Sequence, residues 1–270
     1  MADAATQEAE KRGSAGAFAG GVGIGALGGL IGLGGAEFRL PLLIGAFRFG
    51  ALEAVIVNKA MSLIVVASAL PFRTGTISFA TIGSHWMIVA NLLAGSLLGA
   101  WVGASWATRL KSETLFRVLA LLLVAMAAVL LLGHGSDGGG APLFTGPLQV
   151  VAGVAAGFAI GVVASLMGVA GGELLIPTLI LLFGADVKLA GSLSLVVSLP
   201  TMLVGFARYS RDSTFAVLSR NVRFVLVMAL GSIAGSFIGA MLLGVIGSTY
   251  LLPLLAAILV ISSVKVWRHK

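Results

Sequence analysis

A chain of 270 residues that is 59% hydrophobic and only 10% charged, with a mean hydropathy of +1.10, is too apolar for a soluble domain. Soluble domains carry about 25% charged residues, and several apolar runs here exceed the ~18 residues that a helix needs to cross a bilayer. The net charge of +7 comes from Lys and Arg in short connections and near the ends, the pattern of a membrane protein and not of a nucleic-acid binder. The absence of cysteine excludes disulfides, thiolate metal sites and a cysteine nucleophile.

Residues 1–13 are polar and acidic at the start, without the basic start and short apolar core of a signal peptide, and read as a cytoplasmic tail. Apolar segments follow at 14–35, 38–49, 54–72, 79–107 and 115–133. The stretch 134–146, rich in glycine and polar residues, reads as a linker; its His134 and Asp137 have no further ligands at useful spacing and are taken as solvated. Five more segments follow at 147–168, 174–185, 189–207, 222–244 and 248–266. The segments 38–49 and 174–185 are too short to cross a ~30 Å core at 1.5 Å per residue, which predicts half-helices.

Counting Lys and Arg separates two topologies. If each half-helix continues the span before it, ten basic residues lie on one side and five on the other. If each turns back, the split is thirteen to two, with Arg39 and Lys59 inside the membrane in both schemes. The positive-inside rule favours the second scheme and puts both termini in the cytoplasm.

The sequence also repeats. "GLGGAEFRLP" at 32–41 matches "GVAGGELLIP" at 168–177, pairing Gly32, Gly35, Glu37 and Pro41 with Gly168, Gly171, Glu173 and Pro177. "AGSLLGAWVGA" at 94–104 matches "LGSIAGSFIGA" at 230–240 with the same offset of 136. Two blocks in one register predict a duplication, with a first transmembrane repeat at 14–133 and a second at 147–267. Five segments per half make the second half start on the opposite side, so the repeats are expected to be inverted. The fold class is therefore an all-α, polytopic helical membrane protein of two inverted repeats, with about 8–10 membrane segments including two short half-helices.

Ionisable groups inside a membrane are functional candidates by default. Glu37 and Glu173 recur at the symmetric place, each at the start of a half-helix, and are read as carrying a coupling proton or latching a gate. The plainer alternative is a first-turn carboxylate facing the helix dipole. The glycines around Gly34, Gly35, Gly171 and Gly172 permit tight turns and bare backbone N–H groups, which bind anions without formal charge. Lys59 adds positive charge, and Asn58, Ser192 and Ser194 add hydrogen-bonding groups. Arg39, opposite Leu175 in the repeat, either pairs with Glu37 or snorkels outward.

Other motifs carry less. "GIGALG" at 23–28 has the spacing of a dinucleotide fingerprint but sits inside an apolar helix with no preceding strand, so close helix packing explains it better. The same holds for the glycines every fourth residue at Gly95, Gly99, Gly103 and Gly231, Gly235, Gly239. His85 and Trp86 mark a membrane interface, and Arg73 and Arg208 anchor matching helix ends. No hydrolase, metalloprotease or phosphate-loop pattern is present, so the chain is read as no enzyme, without cofactor or metal.

A glycine-rich first span running into Gly-x-Gly-Gly-x-Glu-x-x-x-Pro, an Asn-Lys pair in the next helix and a repeat of the first motif in the second half resemble the TauE/SafE family of sulfite and organosulfonate exporters. The resemblance runs from about 16 to 266 and identifies the family better than the substrate. It implies a multi-pass permease of the bacterial inner membrane for sulfur-containing anions such as sulfite or sulfoacetate. The expected activity is secondary-active transport of such an anion, as an exporter coupled to protons, by alternating access. The alternatives are an anion channel or a carrier of another small anion or a metal cation. The expected partners are the anion and the lipid bilayer, with no nucleic acid, and a homo-oligomer is left open.

Overall fold

The computed structural model describes residues 13–31, 35–73, 79–132 and 141–242 and, near the end of the chain, 257–258, 260–261 and 263–268. Among these the structure is helical, with no strand. The helices are α1 (Ser14–Ile31), α2 (Ala36–Gly45), α3 (Ala51–Arg73), α4 (Phe79–Ser84), α5 (Trp86–Ala107) and α6 (Ser112–Leu132) in the first half. After the connection come α7 (Pro147–Met167), α8 (Gly172–Phe183), α9 (Val187–Tyr209), a 3₁₀ turn at Ser213–Ala216, α10 (Val217–Arg220) and α11 (Val222–Leu242). Five of these, within α3, α5, α7, α9 and α11, are long and apolar enough to cross a membrane. Closed hydrogen bonding inside each helix is what makes this the workable backbone in lipid.

Local chemistry sets the helix ends. Pro147 opens α7 at a position where its missing N–H does no harm. Asp186 caps α9, its side chain accepting from the backbone N–H of Lys188 and Leu189 at 2.9 and 3.0 Å. α2 and α8 each begin after a glycine in the left-handed region, Gly35 at φ 69° and Gly171 at φ 82°, a conformation in which a Cβ is strained. Both short helices start two residues before the apolar runs that begin at 38 and 174, and each glutamate lies in the first turn, as expected of a residue that opens a half-helix. They also end earlier, at Gly45 and Phe183, so α2 has 10 residues and α8 has 12, about 15 and 18 Å long.

Each short helix turns back. Gly20 of α1 lies against Leu42 and Phe47, and the Phe47 ring packs 4.9 Å from that of Phe224 at the start of α11. Likewise the end of α8 lies beside the start of α7: Leu143 N donates to Leu181 O at 2.9 Å, and Gln149 Nε2 to Leu182 O at 2.8 Å. The expected single segment 79–107 is instead two helices, α4 and α5, parted at His85. Gly83, Ser84 and His85 hold helix weakly there, and His85 has left helical geometry at ψ 20°.

Element bounds recur at the offset of the sequence repeat. α1 and α7 end at 31 and 167, α2 and α8 begin at 36 and 172, and α3 and α9 run 51–73 and 187–209. α5 and α11 begin at 86 and 222. The packing exchanges partners in the same way: α1 lies along α11 and α5 lies along α7, both pairs parallel. Their glycines make this close. A Cβ on Gly95, Gly99 or Gly103 would meet the backbone carbonyls of Val154, Phe158 or Val162. A Cβ on Gly21, Gly25 or Gly235 would likewise meet those of Met228, Ser232 or Val22. Large apolar side chains such as Leu98, Phe158, Phe237 and Met241 point outward from these pairs, as a lipid-facing surface requires.

Basic residues gather at one end. Lys265 packs on Gly45 at the close of α2, Arg220 Nη2 lies 3.6 Å from Glu53 Oε1 at the start of α3, and Arg208 Nε donates to Ser105 Oγ near the close of α5 at 2.7 Å. Arg211 stacks 5.0 Å over the Trp101 ring.

Candidate functional site

The two half-helices start in the interior. Glu37 is 0% and Glu173 4% exposed, and their carboxyls lie close enough to interact directly. Among the described residues, both oxygens of Glu37 and Oε2 of Glu173 find no hydrogen-bond partner of good geometry. Neither Gly35 nor Gly171 caps its helix through a side chain, so the first amides of both helices face this interior without one. Helix N-termini carry partial positive charge, which favours a negative group beside them. Arg39 does not snorkel. It is fully buried one turn into α2 and within Coulombic range of Glu37, while its counterpart Leu175 is an ordinary core residue.

Asn58 and Lys59 come to the same region from the third helix, but they bind backbone. Asn58 Nδ2 donates to Ala36 O at 3.0 Å and to Met167 O at 3.1 Å, tying the start of α2 to the end of α7. Lys59 Nζ donates to Ala164 O at 3.0 Å and to Val169 O at 3.4 Å, so its ammonium is held by carbonyls. Both side chains are fully buried. Two further groups belong with them that the sequence reading did not single out. Ser62 Oγ donates to Gly168 O at 3.3 Å, and Tyr209 OH to Ser165 O at 2.8 Å. The signal for Ser62 was present, since it stands four residues after Asn58 and therefore on the same helix face. Tyr209 gave none.

These donors answer a physical need. α7 stops inside the protein, where Gly168 turns left-handed at φ 68°, and a helix end leaves its last carbonyls without intrahelical partners. Lys59, Asn58, Ser62 and Tyr209 supply four side chains to that end, and the cation among them complements the negative pole of the helix.

The remaining expected residues separate. Gly35, Gly171 and Gly172 form the two starts. Gly34 lies outside the described residues, as does most of the linker. Ser192 Oγ donates to Lys188 O at 3.2 Å and Ser194 Oγ to Gly191 O at 2.9 Å, both in their own helix. Such back-bonding satisfies a buried hydroxyl without extending to the glutamate pair.

Removing Asn58 is expected to loosen the junction. Asn58→Leu leaves the carbonyls of Ala36 and Met167 without this donor and lowers stability by about 1–2 kcal/mol, read from thermal unfolding of the purified protein in detergent. Ser68→Ala, which removes only a bond to Ile64 O one turn back in the same helix, is expected to change little in the same measurement.

A family model described as Sulfite exporter TauE/SafE matches residues 2–130. Over those residues the chain is similar to the TauE/SafE family. The match covers Glu37, Arg39, Asn58 and Lys59 and stops before the linker. No curated protein and no solved structure matches the chain. Among the described residues five helices are long and apolar enough to cross a membrane, which agrees with the similarity of the first half to a family of membrane exporters. Glu173 and the second short helix lie beyond the matched residues, and Asn58 and Lys59 of the matched part bond to the chain just before them, at Ala164, Met167 and Val169.

Proposed function

We propose that the chain is a secondary-active carrier that exports small sulfur-containing anions, such as sulfite or sulfoacetate, across the bacterial inner membrane. One observation carries the reading: two re-entrant half-helices start side by side in the interior, with uncapped amides and two facing carboxyls. Amides at such starts can hold oxyanion oxygens, while the carboxyls repel an anion unless one of them is protonated. That opposition is the basis for coupling the anion to a proton. The residues proposed for the anion are the amides around Gly34, Gly35, Gly171 and Gly172, with Asn58, Lys59, Ser192 and Ser194 shaping the surroundings. Glu37 and Glu173 are proposed for the proton or the gate.

The reading includes two inverted repeats, at 14–133 and 147–267. It is supported by the recurring element bounds and by the opposite courses of α3 and α9, in which Lys59 near the start of one lies beside Gly205 near the close of the other. It also includes cytoplasmic termini, supported by the basic residues gathered at one end. The burial of Glu37, Glu173, Asn58 and Lys59 supports reading this arrangement as an occluded stage of the proposed alternating-access cycle.

The test is flux in proteoliposomes loaded with sulfite, sulfoacetate, thiosulfate or acetate. The expected result is saturable release of one or more of the sulfur anions with no single-channel current. Release of none of them, or unitary currents in a planar bilayer, overturns the reading.

A further inference from the structure

The end of α7 has the makings of a metal-ion site that already holds a charge. Carbonyl ends of interrupted helices coordinate Na⁺ in transporters built around broken helices. Here the carbonyls of Ala164 and Val169 converge on one point, with the helix's negative pole behind them. A hydroxyl faces the same space beside Gly205: Ser165 Oγ is fully buried and has no hydrogen-bond partner. Space is kept for it by Gly205. A Cβ there would stand 2.8 Å from Ser165 Oγ, 3.3 Å from Lys59 Cε and 3.5 Å from Lys59 Nζ. The group that fills the point is the Lys59 ammonium, a compact unit charge with three donors.

We propose that Lys59 is a tethered cation occupying a monovalent metal-ion site made by the Ala164 and Val169 carbonyls and the Ser165 hydroxyl. The protein is therefore indifferent to Na⁺, and shortening Lys59 uncovers a site that Na⁺ fills. In the second half the residue at the same offset is Leu195, so the charge is built into one repeat only. The proposal stands on the geometry of this helix end and is independent of which anion, or whether any, is carried.

The experiment measures thermal unfolding of purified protein in choline chloride, NaCl and KCl at equal ionic strength. Wild type is expected to melt at the same temperature in all three. Lys59→Ala and Lys59→Ser are expected to melt lower than wild type in choline chloride and to rise by about 5 °C or more in NaCl. Lys59→Met, which keeps the space filled with an apolar chain, should show no response to Na⁺, and Lys59→Ala combined with Ser165→Ala should lose most of it. A wild type stabilised by NaCl over choline chloride overturns the proposal, even if no variant survives purification. So does a Lys59→Ala or Lys59→Ser protein that melts alike in the three salts.

Discussion

Glu37→Gln and Glu173→Gln are each expected to lower pH-gradient-driven anion flux in proteoliposomes by about tenfold or more, while leaving the protein folded and extractable. The size follows from coupling free energies of about 1–3 kcal/mol between two ligands, which correspond to roughly 5–150-fold in affinity. Glutamine keeps the shape of the side chain and its place in the first turn. It removes the group that can change charge when an anion arrives. A merely structural carboxylate predicts another pattern: lower melting temperatures and unchanged dependence of flux on the gradient, since glutamine serves less well than an anion at a helix start. Gradient-driven flux unchanged in both variants would end the proton-coupling part of the reading and leave anion transport itself standing. Because the two carboxyls lie beside each other, the double variant should lose little more than either single one.

What could be read from the sequence was what depends on local chemistry. Glycine, glutamate and proline at fixed spacing marked both half-helices, because a chain that must turn inside a membrane needs left-handed residues at Gly35 and Gly171. The shortness of the apolar runs said that these elements could not cross. What the sequence concealed is which partner a polar side chain finds. Lys59 looked like a charge waiting for a substrate, yet it meets carbonyls more than 100 residues away. Asn58 was legible as a buried amide but not as the bridge between Ala36 and Met167. Tyr209 stands opposite Arg73 in the repeat and so broke the pattern that pointed to the others. The interruption at His85 was missed for a different reason. Gly83, Ser84 and His85 are only three residues between apolar stretches, and averaged hydropathy does not register a change of backbone direction.

Packing gives the second large effect. Gly99→Leu is expected to abolish assembly of the α5–α7 pair, and Gly99→Ala to lower stability by about 1–3 kcal/mol, because the added Cβ would meet the backbone carbonyl of Phe158. Backbone cannot rotate out of the way as a side chain does, so the two helices must part along their length. Parting them exposes the neighbouring contacts at Gly95 and Gly103 as well, where backbone faces backbone in the same manner. Lipid offers no hydrophobic drive to restore the contact, since tails are as apolar as the helices themselves. The matched control is Gly23→Ala on α1, where an added Cβ has nothing within 4 Å. That variant should be neutral or slightly stabilising, by up to about 1 kcal/mol, through the lower flexibility of alanine. Thermal unfolding and size-exclusion profiles in detergent separate the two variants. Equal behaviour of Gly99→Ala and Gly23→Ala would mean that the glycine contacts do not hold α5 to α7. The same logic makes Gly235→Leu a test of the equivalent α1–α11 pair, where the carbonyl of Val22 takes the place of that of Phe158.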